Sequence, residues 1–135
     1  MEYRNTTDIP LDLIKVAIQF AGQSGVEIKR IEVRNKEEGI YHGDYGKYYE
    51  QSKKIRLIVP PVMNKPIQMK LRHFGKHITF QNRIEFVVAV MAHELRHGYQ
   101  YQVMGMEFAC TAAKEYDAEK YEWEKLNEWR QIANG

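Results

Sequence analysis

The sequence predicts an α+β fold in which an N-terminal helix and a small, mostly antiparallel sheet of three or four strands precede two long helices. Three observations support this: an apolar helical period near the N-terminus, short apolar runs between turn residues at positions 26–59, and two long helical periodicities after position 82. A chain of 135 residues is long enough for one core and too short for two ordinary ones. We therefore expect a single domain over residues 1–135.

The first predicted helix runs from Pro10 to Gln23. Asp8 is a suitable N-cap for it, and Gly22 to Gly25 would end it. Apolar side chains recur at helical spacing along one face, which we expect to pack on the core. These side chains belong to Leu11, Ile14, Ile18 and Ala21.

Four short segments have the composition of β-strands: Val26 to Val33, Ile40 to His42, Lys47 to Glu50 and Lys54 to Val59. Gly43 to Gly46 has hairpin-turn chemistry, which predicts antiparallel pairing of the second and third segments. Two prolines end the fourth segment. The residues between it and position 82 are predicted to form a loop.

A long amphipathic helix is predicted from Arg83 to Val103. Asn82 can cap its N-terminus, and Glu85, three residues further on, completes a capping-box pattern. Gly105 is expected to end it. Within this helix, residues 93–97 read His-Glu-Leu-Arg-His, which is the pattern HExxH.

The HExxH pattern gives the arrangement of side chains that a zinc hydrolase needs. His93 and His97 are four residues apart, so each can give one ring nitrogen to a single tetrahedral ion. Glu94 lies about 100° round the helix, where a general base can reach a water beside the ion. The alternative is that the two histidines only pack or hydrogen-bond on an amphipathic helix, with Glu94 as a solvated neighbour.

Catalytic zinc usually has three protein ligands, so a third must come from elsewhere. Phe108 to Arg130 is predicted to form a second long helix, and a tight turn at Gly105 would make the two helices an antiparallel hairpin. At a rise of about 1.5 Å per residue, Glu115 is then level with the gap between the histidines and is the predicted third ligand. Glu119, one turn further on, can hold an imidazole ligand in place by a hydrogen bond. The alternative for both glutamates is a solvated, charged helix face.

The chain resembles the gluzincin metallopeptidases, which pair HExxH on one helix with a glutamate on a following helix. Residues 115–119 read Glu-Tyr-Asp-Ala-Glu, similar to the gluzincin form Glu-x-x-Ala-Asp and to the Glu-x-Asp-Ala form of small proteins from phages and mobile elements. Both alignments select Glu115. Residues 93–100 are similar to the HELRH helix of those small proteins. SprT-like proteins are a related alternative, although their third histidine is absent here.

This resemblance implies a zincin-like fold and zinc-dependent hydrolysis of peptide bonds, with Zn2+ held by the two histidines and Glu115 and with Glu94 as general base. It also implies a peptide or protein substrate that pairs with an edge strand of the sheet. Lys47 to Glu50 and Lys54 to Val59 are both candidates for that strand. A side chain that stabilises the oxyanion is expected too, with Tyr99 and His42 as candidates.

Other functions stay open. The same ligands can hold zinc in a non-catalytic binding or regulatory protein of a phage or mobile element, although the intact Glu94 argues against this. The segment Tyr121 to Gly135 can alternatively lie over the cleft and keep an enzyme latent, although its apolar stripe favours packing in the core. The native metal is also open, because iron, cobalt and manganese accept His and carboxylate ligands.

Composition and the N-terminal sequence limit the possible partners and the expected location of the protein. A formal net charge of +2 and a pI near 8.6 do not favour a dedicated nucleic-acid site. No apolar run approaches the length of a membrane span, and Met1 to Asp8 lacks the features of a signal peptide, so we expect a cytoplasmic protein. The single cysteine, Cys110, excludes an internal disulfide and is expected to be a buried helix residue.

Overall fold

The computed structural model describes residues 1–36, 45–61 and 63–134. The predicted strand Ile40 to His42 and the first half of the predicted turn Gly43 to Gly46 lie outside the described residues. The α+β class is confirmed. In chain order the described elements are β1 (Glu2–Asn5), α1 (Leu11–Ala21), β2 (Arg30–Asn35), β3 (Gly46–Tyr49), β4 (Lys54–Val59), β5 (Ile67–Leu71), β6 (Lys76–Phe80), α2 (Arg83–Gln102) and α3 (Thr111–Asn134).

The main sheet is mixed, so the prediction of a mostly antiparallel sheet is wrong. Its strands lie in the order β1-β2-β4-β3. β2 pairs in parallel with β1 and with β4, whereas β3 pairs antiparallel with β4. Parallel neighbours need a crossover connection, which α1 supplies between β1 and β2. Strand β1 precedes the predicted N-terminal helix and was missed, because its four residues carry mostly polar side chains and are at most half-buried.

A second, two-stranded sheet forms where the sequence predicted a loop, and that prediction is also wrong. β5 and β6 pair antiparallel, from Ile67 opposite Phe80 to Leu71 opposite Lys76. Gly75 lies in the connecting turn with a φ of 81°, a left-handed conformation that favours glycine. Alternating apolar and polar residues in β5 were the available signal, but they extend over only 5 residues.

The first helix is shorter than predicted and is capped differently. α1 begins at Leu11 after Pro10, and no side chain caps its N-terminus. The predicted cap, Asp8, instead forms an ion pair with Arg83 at the start of α2. The helix still buries one face against the core. Its buried side chains belong to Ile14, Ala17, Ile18 and Ala21.

α2 is the central helix of the fold. Residues 86–92 are all buried, because the helix packs against α1, α3 and strands of both sheets. A helix that is apolar on every side is expected at such a position. The predicted N-cap is confirmed: the Asn82 side chain accepts a hydrogen bond from the Glu85 amide at 2.9 Å. The Glu85 carboxylate in turn accepts one from the Gln81 amide at 2.9 Å.

α3 packs along α2 in the antiparallel direction that the sequence predicted. Contacts between the helices run in reverse order, from Arg96 with Asp117 near the connection to Glu85 with Arg130 at the far end. Gly105 lies in the connection with a φ of 66°. This direction sets the first turns of α3 beside the HExxH segment of α2. Within the described ranges, no helix combines the length and the apolar character needed to cross a membrane.

Candidate metal centre

Two histidines of α2 and one glutamate of α3 converge where the helices meet. The Nε2 atoms of His93 and His97 lie 3.1 Å apart, one helical turn from each other. Glu115 spans the pair, with one carboxylate oxygen 3.2 Å from His93 Nε2 and the other 3.0 Å from His97 Nε2. The structure thus brings the three predicted ligands together, as a group that can hold a metal ion.

The separations fit a tetrahedral ion. Zinc bonds of about 2.0–2.1 Å at tetrahedral angles place neighbouring ligand atoms about 3.3 Å apart. The 3.1 Å between the two Nε2 atoms is close to this value, and each of these atoms has one of the two Glu115 oxygens at 3.0 or 3.2 Å. Two imidazoles and one carboxylate are also a ligand set found in catalytic zinc sites, where the fourth position serves water or substrate.

The second ring nitrogen of each histidine has its own partner. His93 Nδ1 lies 2.8 Å from a carboxylate oxygen of Glu122. His97 Nδ1 lies 2.9 Å from the side-chain oxygen of Gln100. Both partners are acceptors, so each Nδ1 is the donor.

The orientation of Gln100 supports this assignment. Its amide nitrogen donates to the backbone oxygen of Lys114 at 2.8 Å and to a carboxylate oxygen of Asp117 at 2.9 Å. The amide oxygen must therefore face His97. Gln100 is fully buried, so water does not compete for these hydrogen bonds.

These contacts leave acceptors facing one another at the centre of the site. With a proton on Nδ1, a neutral imidazole has only a lone pair at Nε2. The lone pairs of His93 and His97 and the carboxylate of Glu115 then meet without a hydrogen between them. Positive charge is needed there, as a metal ion or as protons on the rings.

The pKa values show that the surrounding carboxylates favour protons on the two rings. Burial lowers the pKa of His93, but hydrogen bonds to the Glu115 and Glu122 carboxylates outweigh it and raise the pKa well above its usual range. Burial also lowers the pKa of His97, and its contact with Glu115 again gives a net increase. The two rings hold the pKa of Glu115 well below its usual range. A metal ion must displace these protons to bind.

Glu94 is buried beside the three ligands, with 6 % of its surface exposed. Burial raises the pKa of its carboxyl, and the positive charge of His93 and His97 only partly offsets this. Within the described residues, no protein donor hydrogen-bonds its carboxylate, although the residue lines the cavities over the site. Such a carboxylate is a stronger base than an exposed glutamate.

Two glycines allow β3 to lie directly on α2. A Cβ at Gly46 would come 2.6 Å from Val90 Cγ1 and 3.0 Å from Glu94 Cγ. A Cβ at Gly98 would come 3.2 Å from a ring carbon of Tyr48. Glycine at both positions therefore brings the edge of the sheet against the candidate metal centre.

Two cavities, of about 560 and 280 Å3, open over this centre. Both are lined by Gly46, His93, Glu94 and Glu115, so they adjoin at the centre, and we call them together the groove. The larger end is also lined by residues 69–73 of β5 and its turn. The smaller end is bounded by β3 and by the start of α3.

Glu119 contacts a histidine outside the candidate ligand set. Its carboxylate lies 2.8 Å from His73 Nδ1 and accepts hydrogen bonds from the His73 and Phe74 amides at 2.9 and 3.2 Å. The carboxylate that contacts His93 belongs to Glu122 instead. Glu119 thus ties the β5–β6 turn to α3.

Three other residues were singled out in the sequence: Tyr99, His42 and Cys110. Tyr99 lies under the guanidinium of Arg96, at 4.9 Å, and lines neither cavity. His42 lies outside the described residues. Cys110 is exposed, so the expectation of a buried helix residue is wrong.

Sequence reasoning missed the partners of the two histidines. Gln100 is three residues after His97, a spacing at which helical side chains meet, so its role had a local signal. Glu122 is two turns after Glu115 and shares its face, but so does Glu119. Only the packing of α3 against α2 and the β5–β6 hairpin distinguishes the two glutamates.

Comparison of the chain with protein-family models, with curated proteins and with solved structures finds no significant match. The function is therefore inferred from the geometry of the site, together with the motif resemblance of its sequence.

Proposed function

We propose that this protein is a zinc-dependent hydrolase of peptide bonds. The observation that carries the proposal is the convergence of two imidazole lone pairs and the Glu115 carboxylate beside the buried Glu94. This combination provides three metal ligands and a general base at the centre of the groove. The gluzincin-like sequence pattern supports peptide hydrolysis as the reaction class.

The proposed mechanism assigns separate roles to a bound zinc ion and to Glu94. A bound zinc ion would polarise the scissile carbonyl and make the attacking water more acidic. Glu94 accepts a proton from that water and passes it to the leaving amine. The raised pKa of Glu94 suits both steps, because a strongly acidic carboxylate would be a poor base.

Strand β3 is the candidate for binding an extended substrate. Of the two strands proposed from the sequence, β4 lies between β2 and β3, so both of its edges are paired. Among the described residues β3 ends the sheet, and its residues Gly46, Lys47 and Tyr48 line the groove. An extended peptide can hydrogen-bond to a strand in this position, beside the candidate metal centre.

A second candidate function is a structural zinc site in a binding or regulatory protein. His93 and Glu115 belong to different helices, so an ion between them would link α2 to α3 whether or not catalysis occurs. The latent-enzyme alternative has less support, because residues 123–134 line neither cavity. The Trp129 ring packs on Phe20 of α1 instead.

Glu94→Gln distinguishes the two functions, with Glu124→Gln on the exposed face of α3 as the matched control. Zinc-loaded proteins are incubated with a proteome-derived peptide mixture, and new termini are counted by mass spectrometry. Loss of the base is expected to slow cleavage about 10²–10⁴-fold at equal zinc content, while the control stays at the wild-type rate. Equal cleavage by wild type and Glu94→Gln, or a zinc-loaded wild type that cuts nothing, would contradict the proposal.

A further inference from the structure

The groove has acidic residues at its centre and positively charged residues along its walls. At one end, Lys70 and Arg72 in residues 69–73, which we call the hairpin wall, line the cavity. At the other end, the lining residues include Lys47 and Lys114. An extended substrate that crosses the centre would pass cationic groups on both sides.

The glutamates of the groove are already engaged. Glu115 faces the two histidine ligands, Glu119 binds His73 and Glu122 binds His93. Glu94 is buried at the centre. These carboxylates are therefore engaged with the candidate ion site, the base function and the contacts between helices and hairpin, and they do not pair with the cations of the walls.

The cations of the walls have no carboxylate partner among the described residues. Lys70 and Arg72 are exposed and form no ion pair there. The Lys47 ammonium lies 5.1 Å from the centre of the Tyr49 ring, a contact that leaves its charge available. Lys114 donates to the Tyr101 hydroxyl at 3.0 Å, which is also a neutral partner.

The hairpin wall is fixed to the helix that carries Glu115. Glu119 accepts hydrogen bonds from the backbone amides of the β5–β6 turn. Phe74 in the same turn packs against the rings of Tyr116 and Trp123, with centroids 5.6 and 5.7 Å away. Lys70 and Arg72 are thus attached to a rigid support at one end of the groove, and a bound substrate need not order the wall.

We propose that the groove selects peptides that carry acidic side chains on both sides of the scissile bond. This inference rests on the proposed peptide hydrolysis and names its substrate class. Two exposed ion pairs together favour Glu over Gln by about twofold to thirtyfold, and the middle of this range is about fivefold to tenfold. Because the cations are exposed, the preference falls as salt rises.

The test uses three matched pools of quenched fluorescent peptides that differ only in having Glu, Gln or Lys on both sides of a randomised core. Wild type is compared with Lys70→Gln/Arg72→Gln and with Lys29→Gln/Lys120→Gln. The control pair removes the same charge from exposed lysines outside the groove. We expect wild type and the control to cleave the Glu pool about fivefold to tenfold faster than the Gln pool. The groove variant should keep a preference of only about twofold to threefold, because Lys47 and Lys114 remain at the other end.

Binding to zinc-loaded Glu94→Gln, followed by fluorescence anisotropy, separates recognition from cleavage. Cleavage without preference, or an equal loss in the control, would overturn the inference and leave the hydrolase proposal standing. Selective binding of the Glu peptides, reduced in Lys70→Gln/Arg72→Gln, in a protein that cuts nothing would uphold acidic recognition and refute hydrolysis. If neither selective binding nor cleavage is observed, the hydrolase proposal and the acidic-peptide inference are both refuted.

Displacement of the Glu peptide by mixed-sequence single-stranded DNA at lower concentration than by unlabelled peptide would assign the groove to phosphates and also overturn the inference.

Discussion

Glu122 accepts a hydrogen bond from His93 Nδ1 at 2.8 Å, so a carboxylate outside the candidate ligand set fixes the tautomer and direction of a candidate ligand ring. Glu122 is 2 % exposed. Burial raises the pKa of its carboxyl, and the His93 ring opposes this. The same contact holds α2 and α3 in register two helical turns from Glu115.

Glu122→Ala is expected to weaken zinc binding about 10–100-fold, because His93 loses the partner that orients it. Zinc affinity is measured by competition with a chromogenic chelator. Glu119→Ala, on the same helix, is the matched control and should change zinc affinity little, since Glu119 contacts His73. A larger loss in Glu119→Ala than in Glu122→Ala would contradict the assignment.

Gly46→Ala is expected to lower the free energy of unfolding by about 1–3 kcal/mol, because the new methyl group overlaps Val90. It should also slow peptide cleavage by displacing Glu94. A double-mutant cycle with Val90→Ala, measured by urea unfolding, provides the check. The double variant should be more stable than the sum of the two single changes predicts. Strict additivity would show that Gly46 is not needed for the close approach of β3.

Acid should weaken the contact between the start of α2 and the end of α3. Burial raises the pKa of Glu85, but Arg130 and the Gln81 amide outweigh it and leave the pKa below its ordinary value of 4.5. The contribution is therefore complete above pH 4.5 and is lost as pH falls through the lower folded-state pKa.

Glu85→Gln should remove this pH dependence and cost about 1.5–3 kcal/mol at pH 7, since it replaces a charged acceptor. Urea unfolding between pH 7 and 3, with exposed Glu124→Gln as control, measures both effects. An unchanged acid profile in Glu85→Gln would assign the pH dependence to other carboxyl groups.

The triad could be predicted from the sequence because its geometry is local. The spacing of His93 and His97 follows from one helical turn, and a short connection at Gly105 places Glu115 opposite them. The partner of His93 could not be predicted in this way. Glu119 and Glu122 share a face of α3, and the β5–β6 turn that takes Glu119 comes from a distant part of the chain.

The strand directions in the main sheet and the presence of β1 could not be predicted from the sequence either. Buried segments such as β4 were recognisable, since Lys54–Val59 is rich in β-branched and leucine residues. Strand direction was not, because side-chain alternation is the same in parallel and antiparallel pairs. β1 joins the sheet through backbone pairing with β2, and its mostly polar residues carry no apolar pattern.

Zinc binding by His93, His97 and Glu115 is the basis of the proposed catalysis. It is tested most directly by metal content, measured by mass spectrometry on protein purified without added metal. Wild type is compared with His97→Ala and Glu115→Ala, and with exposed Glu124→Gln as control, all checked for folding by circular dichroism. We predict one zinc per chain in wild type and control, and a sharp loss in both folded ligand variants. A wild type that stays metal-free when zinc is supplied would contradict the account.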